Sequence, residues 1–332
     1  MSELIKRIGQ LFVIGFPEQK PSKAFLNFIG EENIGGVILF RSNCPTNQAI
    51  QRNIQSIRSY CRHGPPFIAV DQEGGRVCRI MGAPAEFAAP SYYGENMALD
   101  HFEEDFRRSA LCLEGMGINV ILGPVCDVYL NDLNECLRDR CFGRKCQQVI
   151  PFVRKAVEVM KKYGLLSCLK HFPGLGAAEV DPHVATSSVS YDELIWDQRE
   201  KLPFAAGIEA GADMIMTTHV RVPAMDTAIV TGSTKIVTNL LRQCLAFDGP
   251  IMTDDLTMKG AECLGDIGQR TVSAFLAGHD LLLFGQDIEA AMEAYEYFKS
   301  AVARGEISAE HLAASLDRVT GIKFKLGKSA VF

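Results

Sequence analysis

The chain has 332 residues, 47% of them hydrophobic, and a formal net charge of -6. This is ample apolar material for a large core, and an acidic balance with no basic stripe argues against a nucleic-acid partner. No run of about 18 apolar residues occurs, so no membrane span is expected, and the opening Met1-Ser2-Glu3-Leu4-Ile5-Lys6-Arg7 lacks the basic-then-apolar order of a signal peptide.

Short apolar runs alternate with longer amphipathic segments along the chain. The runs are Leu11–Phe16, Gly36–Phe40, Phe67–Val70, Asn119–Val125, Leu166–His171, Asp213–His219, Pro250–Thr253 and Asp280–Phe284. They are rich in Val, Ile, Leu and Phe without clear alternation, as suits strands buried on both faces of a parallel sheet. Between them the pattern predicts helices at Ser22–Glu32, Thr46–Arg62, Glu95–Met116, Gln147–Tyr163, Gln198–Ala210, Thr234–Ala246, Asp266–Ala277 and Ile288–Arg304. Gly164, Gly211 and Gly278 stand where helix C-caps belong. A last helix is expected over about 308–326, with Ser308 as cap and Gly327 as stop. This β-then-α alternation favours an α/β fold of the (β/α)8 TIM-barrel type. We expect one catalytic domain over residues 1–332.

The cysteines number 11, an odd count, and none forms a CxxC pair. Cys126 and Cys168 fall in apolar runs. Reduced, mostly buried thiols in the cytoplasm are the expectation, with no metal and no cofactor. The seven histidines include no His-x-His pair, which speaks against a metal-dependent amidohydrolase. Gly174-Leu175-Gly176-Ala177-Ala178 lacks the third glycine of a dinucleotide-binding turn.

In a barrel, reactive side chains project from the C-terminal ends of strands. Asp71, Asp127, Lys170-His171, His219 and Asp254-Asp255 all stand at such ends and are expected to converge on one mouth. Two acid/base groups and an array of hydrogen-bonding side chains suit glycosidic cleavage, where one group protonates the leaving oxygen and a carboxylate attacks the anomeric carbon. Asp254, ending an apolar run, is the nucleophile candidate. Asp255 faces elsewhere and is assigned the blander role of a cap. His183 is the acid/base candidate, because an imidazole titrates near neutrality without tuning. Asp181, two residues earlier, would orient the ring and stabilise its cation. Lys170 and His171 are candidates for sugar hydroxyls; otherwise they would be an ion-paired barrel lysine and a satisfied core histidine. Asp71 is placed to accept two hydroxyls. Glu73 and Arg76 are equally well explained as an internal pair of the Asp71–Val77 turn, and Arg79 and Arg140 are further candidates.

Taken together, Gly35–Phe40, Ala69–Arg76, Gly123–Asp127, Arg140–Gly143, Lys170–Gly174, Asp181–His183, Met216–Val220 and Phe247–Leu256 resemble glycoside hydrolase family 3, in its single-domain branch of bacterial β-N-acetylglucosaminidases. The resemblance runs from about Leu11 to Gly285. It implies a retaining enzyme that removes terminal β-linked N-acetylglucosamine, often from peptidoglycan fragments in the cytoplasm. Asp254 would be the nucleophile and His183, beside Asp181, the acid/base. Asp71, Arg79, Arg140, Lys170 and His171 would bind the sugar. Some members of the family use phosphate as acceptor. The family's K-H-F-P-G-H-G-D-T reads Lys170-His171-Phe172-Pro173-Gly174-Leu175-Gly176-Ala177-Ala178 here, and its D-V-N reads Asp127-Val128-Tyr129. These departures motivate two alternatives: a catalytically degenerate barrel that binds a sugar or muropeptide, and a β-glucosidase or glycoside phosphorylase of the same fold. The expected partner is a small carbohydrate, with oligomeric state left open.

Overall fold

The computed structural model describes residues 2–178 and 187–328. Eight strands form one sheet: β1 (Phe12–Ile14), β2 (Gly36–Leu39), β3 (Phe67–Val70), β4 (Val120–Ile121), β5 (Leu166–Phe172), β6 (Met214–Thr217), β7 (Ile251–Met252) and β8 (Leu282–Phe284). Neighbours in sequence are neighbours in space, and every pairing is parallel. β1 also pairs with β8 in the register Phe12↔Leu282 to Ile14↔Phe284. A parallel bridge, Met252↔Leu281, joins β7 to the start of β8 and closes the barrel. Every strand residue is buried, which explains why the strands read as continuous apolar runs.

The outer layer consists of α1 (Lys23–Glu31), α2 (Asn47–Tyr60), α3 (Leu99–Met116), α4 (Cys146–Lys162), α5 (Lys201–Glu209), α6 (Lys235–Cys244), α7 (Ile267–Ala277) and α8 (Ile288–Ala303), followed by α9 (Ala309–Lys328). Side chains of Ser22, Thr46, Asp287 and Ser308 accept a backbone N–H from the first turn of α1, α2, α8 and α9. Gly164, Gly211 and Gly278 end their helices at positive φ, as expected.

Four local expectations change. The segment read as one helix from Glu95 to Met116 is broken: Pro90–Glu95 forms its own short helix, and Met97, at φ 49°, turns the chain before α3. The run Asn119–Val125 keeps only two ladder residues, because Pro124 has no N–H to donate; Val125 rejoins the sheet through a single bridge to Lys170. The helix expected over 198–210 begins with a wide turn, Trp196–Glu200, and α6 is wound with the same wide i→i+5 bonding. Gly327 does not stop the last helix, which continues to Lys328.

α9 lies across the N-terminal end of the barrel. Lys323 Nζ donates to the Gly35 carbonyl, just before β2, at 2.6 Å. Arg318 pairs at 2.9 Å with Asp280, which precedes β8, and Lys325 at 2.7 Å with Asp213, which precedes β6. The opposite end is left to the loops that follow the strands. Among the described residues no helix is long and apolar enough to cross a membrane.

Candidate active site

A cavity of about 510 Å³ opens at the C-terminal end of the strands, within the range of small-molecule sites. Asp71, Arg79, Arg140, Lys170, His171, Asp254 and Asp255 all line it. Its apolar wall includes Ile38, Leu122, Leu175, Met216 and Leu283.

The strand ends deliver these groups, and the turn after β3 arranges them. Gln72–Gly74 and Val77–Cys78 form a small antiparallel hairpin. Gly74 and Gly75 turn it at φ 99° and 55°, and a Cβ on Gly74 would lie 2.2 Å from the Ala88 carbonyl. The side chain of Gln72 fastens the return strand, accepting from the N–H groups of Arg79 (3.0 Å) and Ile80 (3.1 Å). Arg79 is thereby brought back onto Asp71, with Nη2 donating to Oδ2 at 3.1 Å.

Lys170, 2% exposed, lies near the C-terminal end of β5 between two carboxylates. Its ammonium lies 2.7 Å from Asp71 and 2.5 Å from Glu73. Glu73 in turn takes both prongs of Arg140, at 2.7 and 2.9 Å. Burial alone would raise the Asp71 carboxyl, but Lys170 and Arg79 hold it well below its ordinary range. Burial likewise opposes ionisation of Glu73, yet Arg140 and Lys170 bring it down to about 2. The result is a charged lattice whose members fix one another while several still face the cavity.

His171 is fixed from both sides. Nδ1 lies 2.7 Å from Asp127 Oδ2, and Nε2 lies 3.3 Å from Arg140 Nη2. Arginine can only donate, so Nε2 accepts and Nδ1 carries the proton. The second oxygen of Asp127 accepts the Leu175 N–H at 2.6 Å, tying the ring to the turn after β5.

Asp254 follows β7, with Oδ1 accepting the N–H of Asp255 at 2.8 Å. Asp255 is not the helix cap expected of it and does not face elsewhere. It accepts from the N–H (2.9 Å) and the hydroxyl (2.8 Å) of Thr257 in a local turn, and the short helix that follows is entered from Met258. Asp255 lines the cavity beside Asp254, and burial pushes its carboxyl up. Behind them sits His219, whose Nε2 is 2.9 Å from the Asp255 carbonyl and Nδ1 2.6 Å from the Thr231 hydroxyl. A carbonyl cannot donate, so His219 donates there and braces the backbone beside Asp254.

The candidate residues thus fall into three groups. Asp71, Arg79, Arg140, Lys170, His171 and Asp254 share one cavity. Asp127 and His219, also expected at the mouth, lie one layer behind it, as buried supports. Asp181 and His183 lie outside the described residues. The pairing of Glu73 with Arg76 does not occur: Glu73 binds Arg140 and Lys170, while Arg76 pairs with Asp139 and donates to the carbonyls of Glu135 (2.9 Å) and Cys136 (2.7 Å). Glu73 is the site residue the sequence reading missed. Its spacing of two from Asp71 was the available signal, since residues i and i+2 of an extended segment share a face. Lys170 and His171 fill the structural roles considered for them and line the cavity as well. Among the described residues no cluster of His, Cys, Asp and Glu is arranged to hold a metal ion.

Comparison with known proteins gives a consistent family. Residues 3–322 match the glycosyl hydrolase family 3 N terminal domain. The chain is 34% identical over 266 residues to a β-hexosaminidase of Vibrio cholerae, covering 78% of each chain. It is 32% identical to β-hexosaminidase A of Pseudoalteromonas piscicida, where 91% of this chain matches 55% of the relative. Among solved structures, a glycoside hydrolase family 3 β-N-acetylglucosaminidase from a Paenibacillus species superposes with a TM-score of 0.94 at 28% identity, over 98% of this chain and 62% of that one. A β-N-acetylhexosaminidase from Beutenbergia cavernae gives 0.90 at 26% identity, over 97% and 98%. The chain therefore spans little more than half of some relatives and nearly the whole of others.

Proposed function

The chain belongs to glycosyl hydrolase family 3, and on that premise we propose that it is a retaining β-glycosidase that releases terminal β-linked N-acetylglucosamine. The observation that carries this reading is the shared cavity: the Asp254 carboxylate faces the same space as the Asp71–Arg79–Lys170–Arg140–His171 array. The array offers both donors and acceptors, as a ring of sugar hydroxyls requires. Because its members are already paired with one another, it is preorganised and orients a pyranose without rearrangement. Asp254 then attacks the anomeric carbon and forms a glycosyl-enzyme intermediate. His183, oriented by Asp181, protonates the leaving oxygen and afterwards takes a proton from the incoming water.

We read the chain as a single catalytic barrel acting on a small carbohydrate. We place it in the cytoplasm, a location supported by its eleven cysteines, all of them free thiols. Peptidoglycan fragments are the natural substrates to try first. A chromogenic β-N-acetylglucosaminide tests the activity directly, and NMR of the first-formed product tests retention. Absence of turnover on any aryl glycoside, alongside measurable sugar binding, supports the non-catalytic barrel instead. Leu175, which lines the cavity where the family carries histidine, is the feature that favours that second reading.

His183→Ala separates the acid from the nucleophile. Glycosides with poor leaving groups should lose far more rate than those with good ones, because a good leaving group departs with little protonation. Equal losses across a leaving-group series would remove His183 from the acid role.

A further inference from the structure

Beneath the turn that follows β5 lies a buried acid that the proposed chemistry does not use. Glu200 ends the wide turn before α5, and its side chain is 1% exposed. Oε1 accepts from Arg199 Nε at 2.7 Å, while Oε2 is buried with no hydrogen-bond partner among the described residues. That second oxygen is pressed against Gly174, where a Cβ would stand 3.1 Å from it, and Gly174 itself has φ +128°.

The same turn is held by three other bonds. The indole N–H of Trp196 donates to the Pro173 carbonyl at 2.9 Å, and the Tyr191 hydroxyl to the Gly174 carbonyl at 3.0 Å. The Leu175 N–H reaches Asp127 at 2.6 Å, and Asp127 orients His171. The position of Gly174 is therefore two hydrogen bonds away from the imidazole that lines the cavity. The ionisable groups around Glu200 are Arg199 on its own turn, Tyr191 on the preceding segment and Asp127 after β4. Burial outweighs Arg199 and pushes the Glu200 carboxyl up to about 7, with Asp127 adding repulsion.

We propose that Glu200 is a positioning residue of the site: as a neutral acid it packs under Gly174 and fixes the turn, and on losing its proton to solvent it displaces the turn and loosens the Leu175–Asp127–His171 chain. The physical reason is the sealed Oε2. A neutral carboxyl tolerates that location, whereas a carboxylate oxygen must draw in water or a donor. The proposal rests on the glycosidase reading only for its effect on turnover.

The chain carries a single tryptophan, and it is Trp196, whose indole N–H is bonded to the turn after β5 at Pro173. Intrinsic fluorescence of the substrate-free full chain should show a transition centred near pH 7 in the wild type, and Glu200→Gln should abolish it. On an aryl glycoside, the ratio of wild-type to Glu200→Gln kcat/KM should fall several-fold across the same range; the ratio cancels titrations common to both proteins. A fluorescence transition that persists unchanged in Glu200→Gln overturns the proposal. Should that variant not fold, deuterium exchange of the wild-type segment containing Leu175, corrected for intrinsic rate and measured one unit either side of the midpoint, decides the matter. Faster exchange on the alkaline side supports the proposal, and equal protection overturns it. Neither the fluorescence nor the exchange measurement requires substrate, so a protein with no glycosidase activity but an intact transition would refute the function alone.

Discussion

The two ends of the barrel hold the same kinds of side chain and use them differently. At the N-terminal end, Asp280 is fully buried and saturated: it takes Arg242 at 2.5 Å, Arg318 at 2.9 Å and the Ile251 N–H at 2.9 Å. Asp213 is similarly spent on Ser167 and Lys325. Neither carboxylate is left to meet a ligand. At the C-terminal end, Asp71, Arg140 and Lys170 are just as firmly paired, yet each also borders the cavity. Charge pairing alone therefore does not mark a site. What distinguishes the mouth is that its pairs are arranged around empty space, whereas those at the base are closed by α9. Conserving rigidity at one end and reactivity at the other is the division of labour general to this fold.

Substitutions at the two ends should then separate activity from stability. The largest effect is expected at the mouth. Asp254→Asn preserves shape and removes the charge proposed to attack the anomeric carbon, so kcat on an aryl N-acetylglucosaminide should fall by roughly four orders of magnitude or more. Its melting temperature should stay within about 2 °C of wild type, because Asp254 pairs with no cation among the described residues. A large thermal loss would mean that Asp254 is structural and that the two ends do not divide as argued.

Asp280→Asn should give the opposite result. It keeps a partner for the Ile251 N–H but leaves Arg242 and Arg318 without their countercharge, which costs about 3 kcal/mol. Denaturant melts should show that loss while kcat/KM at low temperature changes by less than about twofold. A comparable fall in activity would show that the base transmits strain to the mouth.

The barrel was legible in the sequence because parallel strands are buried on both faces, so each of the eight appears as a predominantly apolar run. Its irregularities were not. The gap at Pro124 and the break before α3 depend on which backbone groups find partners, and periodicity does not report that. At the site, Asp71, Lys170, His171 and Asp254 stood out as polar residues closing apolar runs. Glu73 did not, because Arg76, three residues on, is the nearest cation in sequence and accounts for its charge locally. In the fold Arg140, 67 residues away, reaches Glu73 with a bidentate grip, and Lys170 completes the pair. Burial selects the partners that leave no charge uncompensated, and chain distance has little to do with it. The same logic explains Asp127 and His219, whose work is to orient other groups: one holds His171 and the other the backbone beside Asp254.

The smallest predicted effect sharpens the account of the closed end. Lys323, on α9, is buried with no carboxylate partner among the described residues. Its ammonium donates to Gln10 Oε1 at 2.8 Å and to the Gly35 carbonyl at 2.6 Å, and lies 4.6 Å from the Phe67 ring centroid. Burial nevertheless brings its pKa down to about 7. The folded protein then binds fewer protons than the unfolded chain between about pH 7 and the ordinary lysine value of about 10.4. Stability from this group must rise with pH across that window, and below it the cost of a buried charge is present in full. Lys323→Met removes the titration. Relative to that variant, the wild type should gain about 1–2 kcal/mol between about pH 7 and pH 9, less than the shift alone implies because the two carbonyl-type acceptors and the ring favour the ammonium. Parallel urea melts of the two proteins over this range measure the difference. Curves that run parallel would mean that Lys323 stays charged throughout, its two oxygen acceptors and the Phe67 ring being a sufficient substitute for a carboxylate, and that α9 closes the barrel at no electrostatic cost.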